Sequence, residues 1–220
     1  MRAVIEVQGE PQRLVLRHAP ASARDALATL FALDERLGGI VRATREPLVG
    51  QMRLTWWRDA LTALDRDQPA PAEPVLIDVH RLLLPLGVTG ESLAPMTEGW
   101  MAILHDDYAT DGSVAEYATL RGATLFAAAA QVLGAKHRPV LDEAGRGWAL
   151  FDLAANISSP NVAVIVRKDA DVALSSAFAT KWNRDLRVVG LLALLVRLDA
   201  ADDNAYVKLR KLLSFRTFGR

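Results

Sequence analysis

The sequence predicts an all-α fold, a single bundle of about eight or nine helices that takes in residues 1–220 as one domain. Three observations carry that prediction. Half of the 220 residues are hydrophobic (51%) while only 6% are aromatic, so Ala and Leu carry most of the apolar content. Both are strong helix formers, and the β-branched and aromatic residues that favour strands are scarcer. Apolar residues also recur at three- and four-residue intervals, as one face of a helix requires. Glycines, prolines and short polar clusters interrupt the pattern at helix-sized distances.

The first long helix opens at Pro20-Ala21-Ser22 and shows its apolar face through Leu27, Leu30, Phe31, Leu33 and Leu37. The second begins near Pro47, a favourable first-turn residue, and runs through Met52, Trp56, Ala60 and Leu64. Between them and the next helix, Gln68-Pro69-Ala70-Pro71-Ala72-Glu73-Pro74 reads as an interhelical loop, because its prolines stop a helix and stiffen the chain. Further helices are expected over 73–84, 90–105, 113–133, 139–156, 169–181, 184–198 and 205–215. Breaks are expected at Gly87, Asp111-Gly112, Gly134, Ser158-Ser159-Pro160 and Asp202-Asp203-Asn204. Val162-Ala163-Val164-Ile165-Val166 is β-like, but one strand cannot make a sheet, so a loop or a helix is expected there.

Composition excludes several function classes. Lys+Arg and Asp+Glu are both 26, so no global basic field attracts nucleic acid. There is no cysteine, which excludes disulfides, thiolate catalysis and Cys-ligated zinc and fits a cytoplasmic protein. The start, Met1-Arg2-Ala3-Val4-Ile5-Glu6-Val7, lacks the apolar run of a signal peptide. The longest apolar run, Val188 to Val196, is about half of what a bilayer needs, so no transmembrane segment is expected. His18, His80, His105 and His137 form no H-x-x-x-H pair, so a zinc site has little support. Gly38-Gly39 and Gly145-Arg146-Gly147 lack the phosphate-loop pattern, and close helix packing is the simpler account. Asp199, Asp202 and Asp203, and likewise His105-Asp106-Asp107 with Asp111, read as solvated helix ends rather than magnesium clusters.

One stretch is far more specific. Arg45-Glu46-Pro47-Leu48-Val49-Gly50-Gln51-Met52-Arg53-Leu54-Thr55-Trp56-Trp57-Arg58-Asp59-Ala60-Leu61 resembles a signature of the squalene/phytoene synthase family. It looks most like a divergent branch that includes relatives of a respiratory complex I assembly factor. Leu30 to Asp34 resembles the helix that carries the family's first acidic motif, and Glu116 to Gly122 and Gly145 to Leu150 resemble later helices in the right order. The resemblance implies an isoprenoid-synthase-like helical fold around a central cavity. Active members join two prenyl diphosphates, using two carboxylate clusters that hold Mg²⁺ across the cavity mouth.

This sequence departs from that pattern at both clusters. The first should read Asp-x-x-x-Asp, but Asp34 is followed four residues later by Gly38, and Glu35 by Gly39. The second should follow the helix at 147–156, where Asn156-Ile157-Ser158-Ser159-Pro160-Asn161-Val162 offers no carboxylate. The expectation is a non-catalytic binding or assembly protein without a cofactor, peripheral to the inner membrane face. Its ligand would be a prenyl diphosphate or apolar lipid, and its protein partner a membrane-associated respiratory component. Two alternatives stand beside it: a Mg²⁺-dependent prenyl transferase with rearranged ligands, and a carrier of a lipid or hydrophobic metabolite. The candidate cavity residues are Asp34, Glu35, Arg53, Trp56 and Trp57. Trp56 and Trp57 diverge by about 100° on a helix, so one lines a prenyl-sized pocket or both serve packing alone. Arg53 is placed to bridge Asp34 or Glu35 across the helix pair.

Overall fold

The computed structural model describes residues 9–66, 69–104, 112–200 and 204–220. Among these residues there is no β-strand, and about ten helical units build the fold. In chain order the α-helices are α1 (Glu10–His18), α2 (Ala21–Ala43), α3 (Pro47–Ala63), α4 (Pro74–Asp78), α5 (Gly90–Leu93) and α6 (Pro95–Ala102). They continue with α7 (Ser113–Tyr117), α8 (Thr124–Val132), α9 (Pro139–Asn156), α10 (Pro160–Phe178), α11 (Arg187–Ala200) and α12 (Ala205–Phe218). A π turn over Ala118–Ala123 joins α7 to α8, and another over Val79–Leu83 extends α4.

Proline sets many of the starts. Pro47, Pro74, Pro95, Pro139 and Pro160 each open a helix, where the missing N–H is one that the helix would leave unpaired anyway. Glycine sets two of the ends: Gly87 and Gly134 take left-handed φ values of 80° and 69° at two of the expected breaks.

The core runs through the centre of the bundle. α2 crosses it, burying Leu27, Leu30, Leu33, Leu37 and Ile40 against α3, α6, α8 and the π turn after α4. α9 packs along α10 on one side and against the π turn of residues 118–123 on the other. No described helix is long and apolar enough to cross a membrane.

Two local expectations are corrected. Residues 162–166 lie inside α10, which starts at Pro160 rather than near 169. Val166, Ala170, Ala173, Leu174 and Ala177 are its buried positions, so a helical burial period overrides the β preference of the valines. A helix absent from the expectation, α1, also precedes α2, starting from Gly9-Glu10-Pro11 and packing on α11 and α2. His105, Asp106, Asp107, Asp111, Asp202 and Asp203 lie outside the described residues.

Candidate functional site

The site forms where α2, α6, the π turn and α9 converge, and glycines set how close they come. A Cβ on Gly38 would lie 2.7 Å from Cζ2 of Trp100, so α2 receives the indole of α6 only because residue 38 has no side chain. A Cβ on Gly99 would lie 2.7 Å from the backbone nitrogen of Arg121. Gly122 and Gly145 face each other: a Cβ on either would sit 2.1 or 2.2 Å from the other's carbonyl oxygen. Close backbone approach of this kind is available only to glycine. The π turn widens the helix at Arg121, and such turns concentrate at functional positions.

Arg121 stands at the centre. Its Nε and Nη2 donate to the two oxygens of Asp34 at 2.8 and 2.7 Å, a bidentate fork between two side chains that are both buried. Nη1 donates to Oδ2 of Asp152 at 2.6 Å and also meets the Tyr117 hydroxyl. Trp100 Nε1 donates to Asp34 Oδ1 at 3.0 Å, and Tyr117 donates to Asp152 at 3.4 Å. The guanidinium also lies 4.2 Å from the ring centre of Trp100, 4.5 Å from that of Trp148 and 5.2 Å from that of Tyr117. One cation is thus shared by two carboxylates from α2 and α9 and caged by three aromatic rings.

Burial opposes the charge on Arg121, but Asp34, then Tyr117 and Asp152, outweigh it and hold its pKa well above the ordinary value. Burial pushes the Tyr117 phenol far above its usual range; Arg121 pulls it back only in part, and Asp152 and Asp34 add to the rise. Neither group exchanges a proton near neutral pH. The cluster is a fixed electrostatic knot rather than an acid–base pair.

A family model for squalene/phytoene synthase matches residues 8–158, more than half of the chain. The chain belongs to the squalene/phytoene synthase family. No curated protein and no solved structure matched it.

Family chemistry, as the resemblance implies it, needs carboxylates open to Mg²⁺ and a diphosphate. Here both oxygens of Asp34 already accept hydrogen bonds from Arg121 or Trp100, and the nearest oxygen of Asp152 accepts from Arg121. Among the described residues no group of three His, Asp or Glu side chains is arranged to hold a metal ion. The pocket over the cluster, lined by Phe31, Asp34, Glu35, Trp100, Arg121 and Asp152 among others, holds about 160 Å³. Ligand sites usually measure about 300–1,000 Å³. The residues present do not fit a Mg²⁺–diphosphate cluster.

The sequence-derived candidates separate in space. Asp34 sits in the knot and Glu35 lines its pocket. Arg53 does not bridge to either acid. It is exposed and reaches Thr44 Oγ1 at 3.5 Å. Trp57 is buried in the core and Trp56 is 48% exposed, their rings edge-to-face at 5.6 Å, and neither lines the Asp34 pocket. The partner of Asp34 is Arg121, not Arg53, and the facing carboxylate is Asp152, which lies before the stretch expected to carry the second cluster. Tyr117 and Arg121, and Trp148 and Asp152, are each four residues apart, a spacing that places each pair on one helix face but is too common to single them out.

Proposed function

We propose that this chain is a non-catalytic member of its family, a binding or assembly protein in which an internal arginine has taken the place of the metal–diphosphate site. The observation that carries this reading is the Arg121 guanidinium between Asp34 and Asp152. A fixed cation there satisfies the carboxylates that would otherwise call for Mg²⁺. Gly38 adds to it: the position of the missing acid is filled by the Trp100 ring, so the change is built into the packing.

A binding role draws support from the family signature itself. On α3, Leu48, Met52 and Trp56 recur every four residues and are 67%, 66% and 48% exposed, an apolar stripe on the outer face of the helix. Resemblance of this segment to the complex I assembly branch supplies the class of partner, a respiratory component under assembly at the membrane. Thermal unfolding with farnesyl diphosphate, with and without Mg²⁺, tests the loss of chemistry. A bound native-state ligand at a hundred times its dissociation constant stabilises by about 2.7 kcal/mol, a visible shift. No Mg²⁺-dependent shift and no prenyl product are expected. A shift that requires both components, or any coupled product, returns the chain to the prenyl transferases. Normal complex I levels in a deletion strain would remove the assembly role.

A further inference from the structure

One sizeable pocket lies outside the stretch that matches the family. It holds about 610 Å³ between the end of α10, α11 and α12. Its floor is apolar: Phe178 from α10, Leu194 and Leu198 from α11, and Phe215 from α12. Phe178 and Phe215 meet at 5.4 Å and both pack on the buried Trp182, so the floor is rigid. Its rim is cationic, with Arg197, Arg210 and Arg220 lining it and no acidic residue among the described lining side chains. Residues 205–220 contain five basic residues and no acid.

Residues 216–219 are tied down beside the pocket. Gly219 turns at a φ of 76°, its carbonyl accepts from the Trp182 amide at 2.9 Å, and Arg187 donates to the carbonyls of Arg216 and Thr217 at 3.0 and 2.6 Å. Arg220 is thereby returned to the rim, where its main-chain oxygen accepts from Ser214 Oγ at 2.9 Å. The guanidinium of Arg197 lies 5.4 Å from the centre of the Phe178 ring, a cation held over the aromatic floor.

We propose that this pocket binds a single-chain amphiphile with an anionic head, a carboxylate or a phosphate monoester. The hydrocarbon lies on the Phe178–Leu194–Leu198–Phe215 floor and the head meets the arginines of the rim. The volume is within the usual range for small-ligand sites, and an apolar body with a few convergent polar groups is their usual make-up. Neither a neutral lipid nor a small inorganic anion uses both halves of the pocket. The site is independent of Asp34 and Arg121, so its fate and that of the lost prenyl chemistry are separable.

Calorimetric titration of the full chain with decanoate, decyl phosphate, decanol and inorganic phosphate tests this. Both amphiphilic anions bind one per chain, with decanol at least tenfold weaker, because a hydrogen bond to a charged group is worth that factor or more. Extending the chain by two carbons raises affinity by about an order of magnitude. The double variant Arg210→Gln/Arg220→Gln loses at least tenfold for the anions and little for decanol. Ser214→Trp, which fills the pocket, abolishes binding while Ser214→Ala keeps it, with Arg210→Gln/Arg220→Gln deciding if the tryptophan variant fails to fold. Equal affinity for decanol and decanoate, or binding unchanged by the double variant, overturns the proposal. So does binding to phosphatidylglycerol vesicles that decyl phosphate fails to displace, which would make this surface a membrane contact instead.

Discussion

Replacing Arg121 by methionine removes the cation from the centre of the bundle and strands a carboxylate. Asp34 is only 5% exposed, and with Arg121 gone it loses two charge-assisted hydrogen bonds and keeps one, from Trp100. Removing one partner of a buried pair in this way costs about 3–5 kcal/mol. For a chain of this size that lowers the unfolding midpoint by roughly 6–20 °C. The decisive comparison is the double variant Asp34→Asn/Arg121→Met, followed by circular dichroism melts of all four proteins in the cycle. Neutralising the stranded acid returns a large part of the loss, giving a coupling energy of about 2 kcal/mol or more between the two sites. Asp152→Asn alone loses far less, because that side chain is 40% exposed and solvent screens it. If Arg121→Met melts within about 1 kcal/mol of the parent, or the double variant is no better than the single one, the buried-pair account is wrong.

Other outcomes follow from the same geometry. Gly38→Asp, which rebuilds the spacing of the first acidic motif, drives its Cβ into Trp100 and destabilises by about 1–3 kcal/mol without creating a Mg²⁺-dependent midpoint shift; a Mg²⁺ response would show that the missing acid alone was limiting. Gly122→Ala forces apart two helix backbones and lowers the midpoint by several degrees, whereas Gly39→Ala, with nothing within 4 Å of its Cβ, gains up to about 1 kcal/mol from helix propensity. Tyr117 remains protonated where free phenols ionise, near pH 10. The absorbance change at 295 nm between pH 9 and 11 is therefore the same in Tyr117→Phe and the parent, and a smaller amplitude in the variant would contradict the burial. Since the folded phenol is raised above its unfolded value, its contribution is complete below about pH 10 and is lost as pH climbs toward the folded pKa. Alkaline unfolding is correspondingly less steep in the phenylalanine variant, as read from melts at pH 9 and pH 11.

Much of the fold was written locally. Proline at residue 47 marked a helix start, the helix expected from 139 opens at Pro139, and Gly87 and Gly134 marked ends, because one residue's dihedral limits decide such points. The signature over 45–61 and the bare position 38 were readable for the same reason: they are matters of residue type at fixed spacing on one helix. Two helix starts differ from the local reading, where packing outweighed propensity. α10 absorbs a valine-rich run once Val166 and Ala170 are buried against α9, and α1, only nine residues long, exists because α11 and α2 supply a surface for it.

The knot belongs to the other category. Asp34 and Arg121 are 87 residues apart, Trp100 and Asp34 are 66 apart, and Arg121 and Asp152 are 31 apart. Nothing in residue order ranks Arg121 above the chain's other arginines, and Arg53, nearer in sequence, was the natural but wrong partner. The sequence by itself determined that this chain is helical, belongs among squalene/phytoene synthases and lacks the spacing of the first acidic pair. Only the tertiary structure decided which cation answers Asp34. Buried charges must be paired, and the pairing available depends on which helices the glycines at 38, 99, 122 and 145 allow to touch.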